Sequence, residues 1–345
     1  MIPPMETTLP AAAYTDRAFF ELERERIFAT SWNSVARVED VERPGDYVTC
    51  EVAGEPVVVV RDRDRGLRAF ANVCRHRSMT IVEGSGNTKV LRCPYHLWTY
   101  RLDGSLAHAP LVDGDVGAIA LPELAVEEWQ GWVFVNLDPN ARPLAPQLAG
   151  LAEICEPYEL TSMRRVGTLH YVCDFNWKVL VENFAESYHH AGVHPTMLEP
   201  TFPGSRSWVL DNRGEPWCSL DHVSLAPGIE PFTASLAFPA HAFSITRPNG
   251  CVWFRMEIHD VEAVDLRLEL FLAPEFAPDG ELAAMLLDGL RAINDEDMVV
   301  NRRTQKGLRS RFAVPGPTSR LEAATWQFRR WLLDCLGPGV LTHLT

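Results

Sequence analysis

The chain has 345 residues, 46% of them hydrophobic and 23% charged, which suits an ordinary globular protein with enough length for two domains. Its formal net charge is −14 and no basic tract offsets this charge, which argues against nucleic acid or an anionic membrane as a partner. No apolar run approaches the ~20 residues that cross a bilayer. The first residues, Met1–Glu6, lack the basic and apolar segments of a secretion signal, so we expect a cytoplasmic protein.

The first half of the chain predicts an N-terminal helix followed by an all-β domain, because it is rich in β-branched residues and turn signals. The amphipathic helix is expected over Thr15–Thr30. Turns are expected at Asp62–Gly66 and at Gly84–Asn87. The three prolines of Asp138–Pro146 predict a domain boundary. The predicted strands are Trp32–Val38, Gly45–Val60, Leu67–Val73, Thr88–Leu91, Trp98–Leu102, Ser105–Ala107 and Trp132–Leu137.

The second half mixes strands with helices that are separate from them in sequence. Helices are expected over about Trp177–His190 and Glu281–Leu308. The segregation of the two types predicts an α+β domain, with an antiparallel sheet and helices on one face. The predicted strands are Arg164–Phe175, Ser205–Leu210, Ala242–Arg247, Cys251–Ile258 and Val264–Leu272.

Two Cys/His pairs, Cys74-x-His76 and Cys93-x-x-His96, are separated by sixteen residues. Each pair follows a predicted strand, and the turn between the strands would let both loops face one metal centre. Replacing two thiolates by two imidazoles on one iron gives the Rieske variant of an iron–sulfur cluster. A structural zinc site uses the same atoms, but zinc patterns usually group cysteine with cysteine and histidine with histidine. The pattern therefore favours a Rieske cluster over zinc.

The segment Asn176–Pro195 holds three histidines and two glutamates close to a predicted helix end. Two histidines and one carboxylate with open positions are how proteins hold Fe(II) for chemistry with O2. Spacing leaves two pairings open: His190 with His194 on one helical face, or His189 with His194 across the helix end. A zinc site and ordinary surface histidines are open as well.

The third ligand is expected to be a carboxylate on the long helix near the end of the chain. At about 100° per residue, Asp297 lies on the apolar stripe of this helix, whereas Asp295 and Glu296 are expected to point elsewhere. An unpaired buried carboxylate is costly, and a metal ion is one of the few partners that offset the cost. The alternative is an ion pair between Asp297 and a neighbouring arginine, Arg302 or Arg303.

The sequence C-x-H followed after sixteen residues by C-P-Y-H-x-W closely resembles the Rieske domain of the Rieske non-haem iron oxygenases, the aromatic-ring-hydroxylating oxygenase α-subunit family. The resemblance implies a [2Fe–2S] cluster with both cysteines of the motif on one iron and both histidines on the other. These ligands would be Cys74, His76, Cys93 and His96. Ser78 and Leu97 stand where the family often has glycine, and neither is a ligand.

The sequence N-W-K-x-x-x-E-N-x-x-E-x-Y-H-x-x-x-x-H-P resembles the mononuclear iron motif of the same family, and E-D-x7-Q-K-G-L resembles its segment with the third ligand. The resemblance implies Fe(II) held by His189, His194 and Asp297, with no role for His190. Glu186 matches the acidic residue that bridges the two metal centres in the family. It is therefore the candidate catalytic residue, accepting hydrogen bonds from an iron-bound histidine and from a cluster histidine.

The fold implied by the resemblance is α+β, with an N-terminal all-β Rieske domain inserted ahead of a helix-grip (START-like) antiparallel-sheet catalytic domain. The Rieske domain would comprise residues 30–145, and the catalytic domain residues 1–29 and 146–345. The protein would be a homotrimeric terminal oxygenase that receives electrons from an NAD(P)H-dependent flavin or iron–sulfur reductase, directly or through a ferredoxin. The chain has no G-x-G-x-x-G motif in a βαβ unit, so this reductase is expected to be a separate protein.

The substrate is open between an aromatic ring and a quaternary ammonium compound, and so is mono- versus dioxygenation. Glu186 stands where the family more often has aspartate, and glutamate there resembles the branch of carnitine and betaine monooxygenases. A Rieske-type electron carrier without oxygenase activity is the alternative function. Aromatic residues between the iron-binding segments would surround a cation or stack on a ring, or belong to the core: Trp208, Trp217, Phe232, Phe238, Phe243, Trp253 and Phe254.

Overall fold

The computed structural model describes residues 7–64, 66–246 and 250–343. These residues form two compact units: the smaller unit is Phe28–Leu144, and the larger unit combines the described residues before and after it. The expectations for Met1–Glu6, for Arg65 in a predicted turn and for Arg247 at the end of a predicted strand lie outside the described residues. Within the described part of the chain, no helix is both long and apolar enough to cross a bilayer.

The smaller unit consists of antiparallel strands, as predicted. Its strands are β1 (Asn33–Arg37), β2 (Asp46–Val52), β3 (Glu55–Arg61), β4 (Leu67–Ala71), β5 (Ser85–Asn87), β6 (Leu91–Arg92), β7 (Thr99–Tyr100), β8 (Leu106–His108), β9 (Glu123–Trp129) and β10 (Trp132–Asn136). A seven-stranded sheet has the order β1-β10-β9-β4-β3-β2-β5. A three-stranded sheet has the order β6-β7-β8.

The four consecutive valines of β3 explain how the larger of these sheets is buried on both sides. Successive side chains of a strand point to opposite faces. Val57 and Val59 enter one hydrophobic cluster, and Val58 and Val60 enter another that also holds both cysteines of the Rieske-like motif. The continuous apolar run is therefore a central strand covered on both faces.

Three local predictions in the smaller unit are wrong. The predicted strand Gly45–Val60 is two strands, β2 and β3, which pair with each other as a hairpin. The predicted turn Gly84–Asn87 contains strand β5, which pairs with β2 at the edge of the sheet. The predicted strand Thr88–Leu91 begins only at Leu91, where β6 pairs with β7. Glycine and asparagine are poor strand formers, so local preference missed an edge strand that is held by pairing with β2.

The larger unit contains a second seven-stranded antiparallel sheet, whose order is β11-β17-β16-β15-β14-β13-β12. Its strands are β11 (Arg164–Cys173), β12 (Trp208–Val209), β13 (Trp217–His222), β14 (Phe232–Ala237), β15 (His241–Thr246), β16 (Gly250–Asp260) and β17 (Ala263–Leu272). The predicted α+β class is confirmed. Strands β13 and β14 were not predicted, because β13 is almost wholly buried and shows no clear alternation.

The helices of the chain include one long element that was predicted nearly to its ends. The α-helices are α1 (Ala12–Thr15), α2 (Arg17–Glu23), α3 (Leu144–Gln147), α4 (Ala149–Cys155), α5 (Trp177–Phe184), α6 (His190–Val193), α7 (Gly280–Leu308) and α8 (Ala323–Leu336). A π-helix spans Arg24–Phe28. Short 3-10 helices span Val38–Val41, Glu156–Tyr158, Gly204–Arg206, Arg320–Glu322 and Val340–His343. The sequence did not predict α8.

The pairing register assigns alternate residues of the second sheet to two faces. We call the helix face the one that includes Cys173, Phe254 and His222. Helix α5 contacts this face through Phe184, whose ring centroid lies 4.8 Å from that of Phe254. Helix α7 contacts it through Met298, whose Sδ lies 3.8 Å from the Sγ of Cys173. The helix face therefore supports the two helical segments that bear the candidate iron ligands.

The opposite face of this sheet, which we call the outer face, includes Trp217, Trp253 and His170. Helix α4 packs on it so closely that a Cβ on Gly150 would lie 2.9 Å from the indole of Trp217. Any larger residue at this contact would have to displace the buried indole of Trp217. Helices therefore lie on both faces of the sheet, and the prediction of helices on one face is wrong.

A buried ion pair fixes the start of α5. Lys178 and Glu23 are both 0% exposed, and the Nζ of Lys178 lies 2.6 Å from a carboxylate oxygen of Glu23. The indole Nε1 of Trp177 donates to the other oxygen at 3.0 Å. Burial raises the pKa of Glu23 and lowers the pKa of Lys178, because each charged form loses its hydration.

Breaking this pair from one side is expected to be far worse than replacing both members. We expect Lys178→Met to reduce the free energy of unfolding by about 3–5 kcal/mol, because it leaves a buried carboxylate without a cation. The double variant Glu23→Gln with Lys178→Met keeps an acceptor for Trp177 and is expected to recover most of that loss. Urea denaturation followed by tryptophan fluorescence measures both. Equal destabilisation of the single and double variants would show that packing, not charge, dominates.

Candidate metal centres

Two loops of the smaller unit hold the Cys/His pairs in the same backbone conformation. In each loop the cysteine N–H donates to the carbonyl five residues later, at 2.9 Å for both Cys74 and Cys93. The N–H of the fourth residue after each cysteine donates back to that cysteine's carbonyl, at 3.0 Å for Ser78 and 3.1 Å for Leu97. The first loop follows β4 and the second joins β6 to β7. Two similar loops thus present one cysteine and one histidine each.

We call the four side chains of these pairs the cysteine–histidine group. The two cysteines and the two histidines of this group differ in burial. Cys74 and Cys93 are buried, at 3% and 1% exposure. His76 and His96 lie on the more exposed side, and their ring centroids are 4.5 Å apart. The ring of His76 stacks on the indole of Trp98 at 4.9 Å with an interplanar angle of 6°. Sulfur ligands are therefore placed inside and imidazole ligands outside.

Polar groups around the buried sulfurs suit an anionic sulfur ligand. Burial raises the pKa of the Cys93 thiol, while the backbone N–H groups of Tyr95 and His96 donate to its sulfur and act in the opposite direction. The hydroxyl of Tyr100 lies 3.4 Å from the Sγ of Cys74. Hydrogen bonds to the sulfurs are one of the terms that set the potential of an iron–sulfur cluster.

The donor geometry separates a cluster from a single zinc ion. One tetrahedral zinc ion holds its four donors within about 4 Å of one another. Among the described residues, two groups of three or more donors lie within 4.8 Å of one another, and neither includes a member of the cysteine–histidine group. A [2Fe–2S] cluster spaces its cysteine ligands from its histidine ligands because they bind different irons. The donor set therefore fits this cluster.

The fourth residue after each cysteine is strained, since Ser78 and Leu97 have φ angles of 57° and 61°. A left-handed conformation costs a non-glycine residue roughly 1–2 kcal/mol. Glycine removes that strain. It also raises the conformational entropy of the unfolded chain, which lowers the stability of the folded protein by roughly 0.4–1 kcal/mol. We therefore expect Ser78→Gly and Leu97→Gly each to stabilise the smaller unit by about 0.5–1 kcal/mol. Thermal loss of the visible absorbance of the cluster measures this gain.

The control for these two variants is Ser85→Gly, which places glycine in the extended strand β5. There no positive φ is relieved, so we expect unchanged or lower stability. Stabilisation by all three substitutions would attribute the effect to something other than backbone strain.

Three side chains of the larger unit converge in what we call the histidine–aspartate group: His189, His194 and Asp297. The Nε2 of His194 lies 3.1 Å from Oδ1 of Asp297, and the Nε2 of His189 lies 3.7 Å from the same oxygen. One donor atom from each residue lies within 4.8 Å of the other two. Two imidazoles and one carboxylate around one point match the donor set for Fe(II) with open positions. The residues present therefore fit a mononuclear iron ion.

Each histidine of this group has its own carboxylate on the far ring nitrogen. Nδ1 of His189 lies 2.5 Å from Oε1 of Glu186, and Nδ1 of His194 lies 2.7 Å from Oε2 of Glu296. Such partners fix the tautomer and orientation of a metal-binding imidazole. Burial lowers the pKa of His194, but Asp297 and Glu296 together raise it above the usual value for histidine.

The prediction that Glu296 points away from the site is therefore wrong. Consecutive helical residues are separated by about 100°, and a pattern of apolar positions assigns only the direction of Cβ. The imidazole of His194 is 0% exposed and lies between Asp297, at its Nε2, and the neighbouring Glu296, at its Nδ1. No signal in the helix alone could have found this contact, because His194 is distant in sequence.

The spacing argument left His189 and His190 as alternative ligands. In the structure their side chains contact different partners. Helix α5 ends at Phe184 instead of the predicted His190, and the Glu186 carboxylate accepts the backbone N–H of His189 at 3.1 Å. The Nδ1 of His190 lies 2.9 Å from the carbonyl of Phe202. Its ring stacks on His222 at 5.4 Å. His190 is thus held by the fold outside the histidine–aspartate group.

The contacts of Asp297 differ from those of the ion-pair alternative. The Nε of Arg302 binds Asp174 at 2.9 Å. Asp297 instead accepts a hydrogen bond from the Nδ2 of Asn183 at 3.2 Å, in addition to its contacts with the two histidines. Asn183 is the asparagine of the E-N dipeptide in the iron motif. The motif alone did not predict its contact with Asp297.

Two of the seven candidate substrate-pocket aromatics are linked by ring contacts to the segment that bears the histidines. Phe232 stacks on His222 at 4.1 Å, and Phe254 packs against Phe184 at 4.8 Å. His222 lacks a hydrogen-bond partner on Nδ1 in the described part of the chain, and burial lowers its pKa to about 3. Of the other five, Trp217, Phe243 and Trp253 are buried in the core. Phe238 packs on α8, and Trp208 is exposed.

Comparison with known proteins assigns a class to each unit. Residues 31–125 match the family model of the Rieske [2Fe–2S] domain. Residues 160–235 and 231–337 match the model of the ring-hydroxylating α subunit, catalytic domain. These matches define an iron–sulfur protein that joins a Rieske domain to a catalytic domain of the mononuclear iron type. The chain belongs to the ring-hydroxylating α-subunit family, which confirms the expected fold class and cofactors.

Individual relatives of the chain are oxygenase subunits of carnitine and glycine betaine monooxygenases. The chain is 43% identical over 198 residues to the carnitine monooxygenase oxygenase subunit of Escherichia coli (strain K12), covering 54% of this chain and 52% of that protein. It is 36% identical over 195 residues to the glycine betaine monooxygenase oxygenase subunit of Chromohalobacter salexigens, covering 55% and 44%. The matched region thus spans about half the length of these relatives.

Solved structures extend the likeness over nearly the whole chain. The structure of a quaternary ammonium Rieske monooxygenase, described in connection with carnitine oxidation and inter-subunit electron transfer, has a TM-score of 0.87. Its sequence is 29% identical, and the match covers 97% of both chains. The resemblance to the carnitine and betaine branch of the family is therefore confirmed.

Proposed function

We propose that this protein is the terminal oxygenase component of a Rieske oxygenase system, acting on a small quaternary ammonium compound. The single observation that supports it most strongly is the convergence of His189, His194 and Asp297 in a chain that also has a Rieske domain. A carrier of electrons alone has no use for this second donor set. The alternative of an electron carrier is accordingly less favoured.

The proposed reaction takes O2, two electrons and two protons, places one oxygen atom in a C–H bond of the substrate and releases the other as water. When bound, the cluster relays single electrons and the mononuclear iron activates O2. The residues of the chain orient these centres. Glu186 and Glu296 hold the Nδ1 protons of the two histidines, so that both Nε2 atoms remain directed at Asp297.

The electrons are proposed to come from NAD(P)H through a separate flavin or iron–sulfur reductase, directly or through a ferredoxin, in the cytoplasm. We further propose a homotrimer in which Glu186 also accepts a hydrogen bond from His96 of the partner subunit. This part rests on the family resemblance and on the inter-subunit electron transfer described for the similar quaternary ammonium Rieske monooxygenase. Domain limits at residues 30–145, with 1–29 and 146–345 for the catalytic domain, belong to the same proposal.

A quaternary ammonium substrate is favoured over an aromatic ring by the relatives, which are named for carnitine and glycine betaine. A cation that cannot form hydrogen bonds is bound through aromatic ring faces. Phe184, Phe254 and Phe232 are proposed to supply such faces, because they form ring contacts next to the segment that bears the histidines. Glu186, where much of the family has aspartate, points to the same branch.

The test is product analysis under 18O2 with purified protein, a generic ferredoxin reductase and NADPH. One substrate set consists of betaines, including L-carnitine and glycine betaine, and the other of aromatic acids. The expected result is 18O in a product of at least one betaine and in none from the aromatic acids. An iron content of about two per chain, with sulfide but no turnover, would instead support the carrier. Labelled aromatic products would move the proposal to ring hydroxylation.

A further inference from the structure

The outer face of the larger sheet bears a second group of metal-donor side chains: Glu257, His259 and Asp265. One donor atom from each lies within 4.8 Å of the other two. We propose that these three residues bind a divalent transition-metal ion such as Zn2+, in a site separate from both iron centres. This inference does not depend on the proposed oxygenase activity.

Strand pairing brings the three residues together. Glu257 on β16 lies directly opposite Asp265 on β17, so both side chains point to the same face of the sheet. The register shifts between Ile258 and Asp260, which makes His259 the extra residue of a β-bulge. A bulge re-aims the side chain of its extra residue. Here the imidazole of His259 reaches across to Asp265, with Nε2 at 3.3 Å from Oδ2.

A further imidazole approaches the same aspartate from the neighbouring strand. The Nε2 of His170 on β11 lies 3.6 Å from Oδ1 of Asp265, the oxygen that His259 does not face. Asp265 is thus placed between two imidazoles. His170 belongs to the outer face, because Cys173 on the same strand contacts α7 from the helix face and the two residues are an odd number apart. The proposed site is therefore on the side of the sheet away from α7 and Asp297.

Two arginines border the group and approach one carboxylate oxygen of Glu257 most closely. Both the Nη2 of Arg255, at 3.1 Å, and the Nη2 of Arg267, at 4.0 Å, approach Oε1 of Glu257. Oε1 is the oxygen of Glu257 to which each arginine makes its shortest contact. Arg255 also faces Glu269 at 3.8 Å, so its charge is shared between two carboxylates. The arginines therefore orient Glu257 through contacts that are shortest to one of its two oxygens.

The donor types select the class of ion. Imidazole nitrogen with carboxylate oxygen suits Zn2+, Ni2+ or Cu2+, whereas Ca2+ and Mg2+ prefer oxygen alone. Side-chain exposures of 25% for Glu257, 31% for Asp265 and 40% for His259 leave an entry path and room for water as a further ligand. Three protein donors and an open position define the expected coordination.

The experiment is equilibrium dialysis of the iron-loaded holoprotein against a buffered Zn2+ solution, followed by mass spectrometric analysis of zinc, iron and sulfide. The wild-type protein is expected to take up about one zinc ion per chain without losing iron. His259→Ala and Asp265→Asn should each abolish this uptake while keeping iron, sulfide and the visible spectrum of the cluster. His108→Ala removes another exposed histidine, on β8, and should take up zinc as the wild type does.

Several results would overturn the site. If zinc uptake persists in His259→Ala or in Asp265→Asn, the substituted residue is not a zinc ligand, and the proposed three-donor site is wrong. Uptake matched by an equal loss of iron would assign the zinc to the histidine–aspartate group. A wild-type protein that takes up no zinc at all would contradict the proposal directly. Cu2+ electron paramagnetic resonance gives a second readout, since nitrogen hyperfine structure should be lost in His259→Ala.

Discussion

Replacing His194 by alanine is expected to lower the iron content from about three to about two per chain and to abolish oxygenation. His194 is fully buried, and its Nε2 lies 3.1 Å from Asp297. Even partners of metal ligands cost about 10–100-fold when replaced, so loss of a candidate ligand should reduce turnover by more than about 100-fold. The cluster spectrum should be unchanged, because its four candidate ligands belong to the other compact unit.

The matched control is His190→Asn, since His190 neighbours His189 but binds the carbonyl of Phe202. An asparagine amide can still donate to that carbonyl, so we expect iron to be retained and turnover to fall modestly at most. Iron loss in His190→Asn together with full iron in a His189→Asn variant would reverse the assignment of the pair. Asp297→Ala should behave as His194→Ala does, and retention of mononuclear iron there would remove Asp297 from the site.

The second large effect is expected for Glu186→Gln, which should keep both metal centres and lose coupled turnover. The amide oxygen of glutamine can still accept the Nδ1 proton of His189, so the ring keeps its orientation and the iron its ligand. The negative charge is lost, and so is the proposed second hydrogen bond to His96 of the partner subunit. We expect turnover to fall by about 10–100-fold or more with iron and sulfide contents unchanged.

Glu296→Gln separates a relay role from an orienting role, because Glu296 holds His194 as Glu186 holds His189. The comparison uses stopped-flow reoxidation of the reduced cluster by O2 in the presence of substrate. If Glu186 links the two centres, reoxidation should be much slower in Glu186→Gln than in Glu296→Gln. Equal rates in both variants would limit Glu186 to orienting its histidine.

The candidate ligands show how far local patterns reach. The Cys/His pairs needed no tertiary information, because each pair lies within four residues and the donor types already favour an iron–sulfur cluster. Asp297 was selected from helical periodicity together with the resemblance of its segment to the family. The predicted stripe is not the buried face of α7, whose buried residues are Ala283, Asn294, Met298, Asn301 and Gln305. Both inferences use a periodicity or spacing that the local backbone imposes.

The choice between His189 and His190 was not local. It depends on where α5 ends, and that end is accompanied by contacts distant in sequence, such as those of the buried Ser187 hydroxyl with the Gly204 carbonyl and the Ser207 hydroxyl. The prediction of a helix to His190 failed because propensity cannot include these contacts.

By itself, then, the sequence determined the β-strand character of the valine-rich segment, the ligand types of both candidate centres and the helix that bears Asp297. Only the tertiary structure decided that Glu296 contacts His194, that Ser85–Asn87 is an edge strand, and that Glu257, His259 and Asp265 share one face of a sheet. The reason is physical. Backbone periodicity depends on residues that are neighbours in sequence. Contacts between strands and across helix ends depend instead on pairing register and on packing among residues far apart in the chain.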